Sequence, residues 1–160
     1  MADILGQIYG WFQSLFGDEL SYYLWGYNPV TQSYSNPNIY NHIGLISIFI
    51  SLFLVVIFYY IINHPRYCKW WSWLIALAVN STIGLLIGYG IVASKYVNGF
   101  IPQQLMYQFD ENGNITAYLI GDSNCWGFGI ANMIISAMLF VIFTFVLKWW
   151  SSNAKHVPFL

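Results

Sequence analysis

The residues of this chain that could do chemistry inside a membrane are two uncharged amides, each accompanied by small residues at helical spacing. The stretch 71–94, WSWLIALAVNSTIGLLIGYGIVAS, has no charged side chain and is long enough to cross a bilayer as a helix. Asn80, Gly84 and Gly88 recur in it at four-residue steps and so share one helix face. An amide in hydrocarbon needs a hydrogen-bonding partner or water, and glycines let another helix approach closely. This face is therefore either a helix-packing seam or the lining and gate of a pore.

A second polar face lies in the stretch 126–147, WGFGIANMIISAMLFVIFTFVL. Asn132, Ser136 and Thr144 are separated by multiples of four residues and so lie on the same side of a helix. Uncharged polar side chains and hydrophobic rings can gate a pore by wetting and drying. Because one three-helix chain cannot enclose an aqueous path, conduction would require several copies around an axis, with one of these two faces turned toward it.

Basic residues form the remaining candidate site. Four of the five lie in the first loop between spans or in the C-terminal tail, namely Arg66, Lys69, Lys148 and Lys155. Repeated by symmetry, they would form a cationic ring that receives an anionic cytoplasmic ligand, a nucleotide or a nucleic acid. The alternative is that these bases set the topology and contact lipid head groups.

Patterns typical of enzymes, carriers and metal sites are missing from the sequence. No span has an ionisable side chain well inside the hydrocarbon, which argues against a proton-coupled pump or an ion-coupled carrier. There is no phosphate-binding glycine loop, no Ser/His/Asp set and no HExxH motif. Asp110, Asn112 and Asn114 have the alternate spacing of a calcium loop, but the glycine falls one position early and no acid closes the loop. We therefore expect a plain turn there, no metal, no cofactor and no enzymatic activity.

The composition indicates an integral membrane protein. Of 160 residues 58% are hydrophobic and only 7% are charged, whereas a soluble domain carries about 25% charged residues. The stretch 43–62, IGLISIFISLFLVVIFYYII, is a further uncharged run of membrane-spanning length. We therefore predict three transmembrane helices, at 43–62, 71–94 and 126–147.

The distribution of charge predicts how these helices are oriented. All six acids lie before the first span or between the second and third, whereas the bases, Lys95 excepted, lie in the first loop or the tail. The positive-inside rule then places the N-terminus outside and the C-terminus in the cytoplasm. Lys-Trp-Trp occurs at both predicted cytoplasmic boundaries, 69–71 and 148–150, as expected of interfacial anchors. Cys68 and Cys125 fall on opposite sides, so they cannot form a disulfide within one chain.

Two smaller elements are predicted on the outer side. Apolar residues near the N-terminus recur at three- and four-residue steps (Ile4, Ile8, Phe12, Leu15), which predicts an amphipathic helix. It would lie in the interface plane, pack on other subunits or plug a pore entrance. Asn112-Gly113 between the strand-prone runs 105–109 and 115–119 predicts a β-hairpin.

The predicted fold is thus an all-α membrane protein with three transmembrane helices (N-terminus out, C-terminus in), an N-terminal amphipathic helix and a small outer β-hairpin. Residues 1–42 would form the amphipathic helix and a polar connector. Residues 43–160 would form the three-span domain, with the outer loop at 95–125 and a short cytoplasmic tail at 148–160.

These features favour a homo-oligomeric membrane channel or pore, gated by a cytoplasmic anionic ligand or a partner protein. The alternative is a non-conducting membrane scaffold or an accessory subunit of a larger complex. A compact set of spans with almost no soluble part and no catalytic motif resembles the small membrane effectors of bacterial anti-phage defence systems. That resemblance in architecture implies a channel or a membrane-disrupting protein of the bacterial inner membrane, triggered by a partner protein.

Overall fold

The computed structural model describes residues 2–62 and 69–150. The chain begins with helices α1 (Ala2–Gly10), α2 (Gln13–Phe16) and α3 (Asp18–Trp25), followed by strands β1 (Tyr27–Asn28) and β2 (Ser33–Tyr34). Helix α4 (Ile39–Val56) has a π-helical continuation (Ile57–Ile62), and helices α5 (Trp70–Val97) and α6 (Gln103–Met106) come next. Strands β3 (Tyr107–Phe109) and β4 (Ile115–Tyr118) precede helix α7 (Asp122–Leu147), which ends in a 3-10 turn (Lys148–Trp150).

Three of these helices are long and apolar enough to cross a membrane, as predicted. They contain 24, 28 and 26 residues (α4 with its π-helical continuation, α5 and α7), and about 20 residues suffice for the hydrocarbon layer. Helix α7 packs along both of the others, most extensively along α5. It runs parallel to α4 and antiparallel to α5. Which end faces the cytoplasm stays a prediction.

The elements outside the three long helices lie toward the end of the bundle where α4 and α7 begin, and α1 extends along the bundle to Gly44 and Asn132. We call this region the cap; it comprises residues 2–38 and 98–121. The sequence predicts one amphipathic helix at its start, but the structure has three short helices there. Gly10 ends the first, and Gly17 adopts a φ of 85° between the second and third, a backbone conformation that favours glycine.

The buried residues of the N-terminal helices are not those of the predicted apolar stripe, because the helices are interrupted at Gly10 and Gly17. The breaks between the short helices turn successive segments in different directions, so one helical period does not describe them. Ile4 and Trp11 are exposed, whereas Tyr9 is buried. In α2 and α3, the apolar side chains of Phe16, Leu20, Tyr23 and Leu24 are also buried.

The predicted β-hairpin is confirmed as β3 and β4, which pair antiparallel with Tyr107 opposite Tyr118. The carboxylate of Asp110 accepts hydrogen bonds from the backbone N–H groups of Asn112 (2.9 Å) and Asn114 (2.8 Å), so it stabilises a turn. These bonds, chiefly that from Asn114, lower the pKa of Asp110 below its ordinary value. A second hairpin, β1–β2, lies in the segment predicted as a polar connector, and α4 begins at Ile39 rather than at residue 43.

The cap and the long helices share one hydrophobic core. The ring of Tyr9 stacks on Tyr40 of α4 and Phe128 of α7, with centroid distances of 5.2 and 5.4 Å. Asn124 donates its side-chain N–H to the carbonyl of Phe16, at 2.8 Å. These contacts hold the cap against α4 and α7 as part of the same packed unit.

Helix α2 lies directly against α7 because α7 has a glycine at the crossing point. A Cβ atom on Gly127 would overlap the carbonyl oxygen of Leu15, and this backbone group cannot move aside as a flexible side chain would. By contrast, nothing lies within 4 Å of the corresponding position at Gly90, on the exposed side of α5. The two glycines are thus a matched pair in similar helices.

We expect Gly127→Ala to destabilise the protein by about 1–3 kcal/mol, because α2 must move away from α7. Gly90→Ala should leave stability unchanged or raise it by up to about 1 kcal/mol, since alanine favours helix and meets open space. Titration with sodium dodecyl sulfate, followed by far-UV circular dichroism, measures both changes. Equal stability of the two variants would contradict the backbone contact.

Candidate functional site: the polar seam between the spans

The polar residues of the long helices meet in one buried strip within a single chain. We call it the polar seam. Five of the six residues predicted as a pore or packing face come together along it: Asn80, Gly84 and Gly88 of α5 lie opposite Asn132 and Ser136 of α7. Thr144, the sixth, lies two turns farther along α7. Ser47 and Ser51 of α4 complete the seam.

Asn132 is the centre of the seam because its amide is bonded to three different elements. Its Oδ1 accepts hydrogen bonds from the hydroxyl of Tyr9 in α1 at 2.5 Å and from that of Ser47 in α4 at 3.0 Å. Its Nδ2 donates to the backbone carbonyl of Gly84 in α5 at 2.6 Å. One side chain therefore joins the cap and all three long helices.

Glycine is required on α5 for this geometry. A Cβ on Gly84 would overlap Ser136 Oγ, and one on Gly88 would lie 2.8 Å from the Cβ of Asn132. Real Cβ atoms do not approach other heavy atoms so closely, so α5 comes this near to Asn132 and Ser136 because its residues there are glycines. The glycines predicted from their spacing thus act as the surface on which Asn132 and Ser136 pack.

A second amide, Asn80, crosses the seam one turn before Gly84 in α5. Asn80 Nδ2 donates to the backbone carbonyl of Ser136 at 2.8 Å, and Ser51 Oγ donates to the same oxygen at 3.4 Å. Within the described part of the chain, the buried atoms Asn80 Oδ1 and Ser136 Oγ have no hydrogen-bond partner. Only the donor side of the Asn80 amide is therefore hydrogen-bonded, and we expect Asn80 to stabilise the fold less than Asn132 does.

Thr144 takes part in a separate contact near the opposite end of the bundle. Its Oγ1 lies 3.3 Å from the indole nitrogen of Trp73, which donates to it from α5. Trp73 also packs on Phe140, in a second hydrophobic cluster with Val55. The hydroxyl of Tyr60, in the π-helical segment, donates to the carbonyl of Leu147 at 3.1 Å.

The predicted cationic face is described only in part. Arg66 and Lys155 lie outside the described residues. Lys69 is exposed at the start of α5, whereas Lys148 is mostly buried, with its Nζ above the rings of Phe145 and Trp149 at 5.5 and 5.3 Å. Cation–π contacts of this kind hold the ammonium group against its own helix end.

The chemistry of the seam is hydrogen bonding between neutral groups. None of its members changes charge in the physiological pH range, and its acceptors are amide, hydroxyl and backbone oxygens. No group of three or more histidine, cysteine, aspartate or glutamate residues that could hold a metal occurs in the described ranges 2–62 and 69–150. The arrangement fixes helices against one another.

Two donors in these contacts were not predicted from the sequence. Tyr9 is not part of the predicted apolar stripe of Ile4, Ile8, Phe12 and Leu15, and its partner Asn132 lies 123 positions away in the sequence. Trp73 follows Trp70 and Trp71 closely in the sequence, so it resembles one more interfacial aromatic residue. Ser47 and Ser51 have the four-residue spacing that matches Asn132 and Ser136, which is the signal that relates α4 to α7.

Comparisons with protein-family models, curated protein sequences and solved structures find no match to this chain.

We expect Asn132→Leu to lower stability by about 2 kcal/mol, because three hydrogen bonds are lost at roughly 0.6 kcal/mol each in a membrane protein. Asn80→Leu should cost less than about 1 kcal/mol, since it removes one bond together with an unsatisfied oxygen. Unfolding by sodium dodecyl sulfate in mixed micelles gives both values. A larger loss for Asn80→Leu than for Asn132→Leu would contradict the central role of Asn132.

Proposed function

We propose that the protein is a non-conducting integral membrane scaffold, in which the three long helices anchor the cap rigidly at one membrane surface. The observation that carries the proposal is the bonding of Asn132, which turns the polar groups of α1, α4, α5 and α7 toward one another. A helix face whose amides and glycines are buried in its own chain is not free to line an aqueous path between copies.

The lipid-exposed side of α5 supports the same proposal. The small and polar residues on it include Ala78, Thr82 and Gly90. Thr82 Oγ1 donates to the carbonyl of Ala78 at 2.9 Å, so this hydroxyl is satisfied by its own helix and can face acyl chains. Such a surface is compatible with lipid and does not require a second copy.

The cap supports the scaffold proposal because it is packed into the bundle by Tyr9, Phe16 and Asn124. A folded cap fixed to its anchor presents its surface in one orientation, which a docking or ligand-binding surface needs. The homo-oligomeric channel, the anionic cytoplasmic ligand, the bacterial inner membrane and a role in anti-phage defence stay predictions from the sequence.

We expect purified protein in liposomes to give no potassium flux above that of empty vesicles, with gramicidin as the positive control. In dodecyl maltoside, light scattering coupled to size-exclusion chromatography should give the mass of a single copy. Flux from the wild-type protein, together with a ring of several copies, would contradict the proposal. In that case Thr82→Leu, on the exposed face of α5, and Asn132→Leu, in the seam, identify the helix face that lines the path.

A further inference from the structure

The cap contains a cavity with the chemistry of a cation site. It has a volume of about 400 Å³ and is lined by Glu19, Tyr22, Tyr27, Tyr34 and Leu105. Three aromatic rings and one carboxylate thus converge on a space large enough for a small organic ion. We propose that this cavity binds an organic ammonium group, either free in solution or carried by a lipid head group.

The fold brings the three rings together from separate elements. Gly26 ends α3 in the left-handed conformation, with a φ of 86°, and turns the chain so that β1 runs beside that helix. The backbone N–H of Asn36 donates to the carbonyl of Gly26 at 3.1 Å and closes the base of the β1–β2 hairpin. Tyr27 and Tyr34 are opposite each other in this hairpin, so their side chains lie on one face.

The three rings pack against one another at steep angles and together line the cavity. Tyr22 and Tyr27 have centroids 6.0 Å apart and planes at 52°, and Tyr27 and Tyr34 have centroids 5.4 Å apart and planes at 61°. A cation within about 6 Å of several ring faces is attracted by each ring, and quaternary ammonium ligands are recognised in this way. Leu105 is buried and supplies an apolar wall for methyl or methylene groups.

Glu19 makes the site selective for a positive charge. It lies three residues before Tyr22 on α3, so both side chains project toward the same side of the helix. No residue in the described part of the chain forms a hydrogen bond or ion pair with its carboxylate. The neighbouring Asp18, by contrast, accepts a bond from the side chain of Gln13 at 2.8 Å. Lys95 lines a different cavity and its Nζ lies over the ring of Phe100, so it does not neutralise Glu19.

This inference adds a ligand to the scaffold proposal but does not depend on the absence of ion flux. Failure of ammonium binding would leave the liposome result unchanged, and ion flux would leave the cavity and its tyrosines unchanged. The two proposals can therefore fail separately.

The test uses the full chain in dodecyl maltoside. Saturation-transfer difference NMR of the choline methyl groups should give a Kd on the order of 1 mM. The neutral analogue 3,3-dimethylbutan-1-ol, of the same shape, should bind at least tenfold more weakly. Equal binding of the two compounds, or no binding of choline, would overturn the proposal.

Variants assign the binding to the cavity. Glu19→Gln and Tyr27→Leu should each weaken choline binding at least fivefold, whereas Tyr27→Phe should preserve it because the ring remains. Glu111→Gln and Tyr118→Leu, exposed positions of the other hairpin, serve as matched controls and should have no effect. If Tyr27→Leu disturbs the fold, as judged by circular dichroism, Glu19→Gln decides, and unchanged binding in that variant would overturn the proposal.

Native mass spectrometry distinguishes the two sources of the ammonium group. Phosphatidylcholine and phosphatidylglycerol with identical acyl chains differ in the head group, and only the first carries a quaternary ammonium. Retention of phosphatidylcholine over phosphatidylglycerol, lost in Glu19→Gln, indicates the lipid head group. Binding of choline without such a preference indicates a free ammonium compound. Choline binds in both cases, so the lipid comparison identifies only the source of the ammonium group, and no binding of choline overturns the proposal.

Discussion

The structure depends on the need of an amide in hydrocarbon for partners from its own protein. Contacts between apolar side chains do little to specify how the long helices pack, because leucine and lipid chains are equally apolar. Asn132 meets this need with one acceptor and one donor atom, and its partners belong to α1, α4 and α5. The register of α4 and α5 against α7, and the position of the cap, follow from these bonds.

Glycine makes these bonds possible because it exposes the backbone. A helix carbonyl already accepts one bond within its helix, and its second lone pair is reached only where neighbouring side chains are small. Gly84 provides both conditions, since its carbonyl accepts from Asn132 and its missing Cβ leaves room for Ser136. The same glycine of α5 therefore allows α7 to pack closely and provides the acceptor that Asn132 needs. Gly127 plays the corresponding part in α7, where it admits the backbone of α2.

Composition and spacing predict the parts of the fold that are local. The three long helices follow from uncharged runs, the β3–β4 hairpin follows from Asn112-Gly113, and the polar faces of α5 and α7 follow from four-residue spacing. Spacing predicts that a helix face is buried but not which surface buries it, so the sequence leaves the two polar faces as separate candidates for a pore lining. The spacing of apolar residues does not predict the break at Gly17, where φ is 85° and the side chain of Asn124 in α7 lies close by. The cavity lined by Glu19 and the three tyrosines forms because the chain turns at Gly26, and the spacing of residues in the sequence does not predict that turn.

The polar seam and the cap have different kinds of polar group. Those of the seam stabilise the fold, whereas those of the cap are available to a ligand. In the seam the polar groups are neutral, buried and bonded chiefly to one another, so they have little capacity left for a ligand. In the cap, Glu19 has a carboxylate, is only partly buried and lines a cavity of about 400 Å³ together with three tyrosine rings. A charged group without a protein partner is favourable in water, but desolvation by a ligand costs free energy unless the ligand supplies the opposite charge. The carboxylate therefore selects a cation, and the tyrosines select one with methyl or methylene groups on its surface.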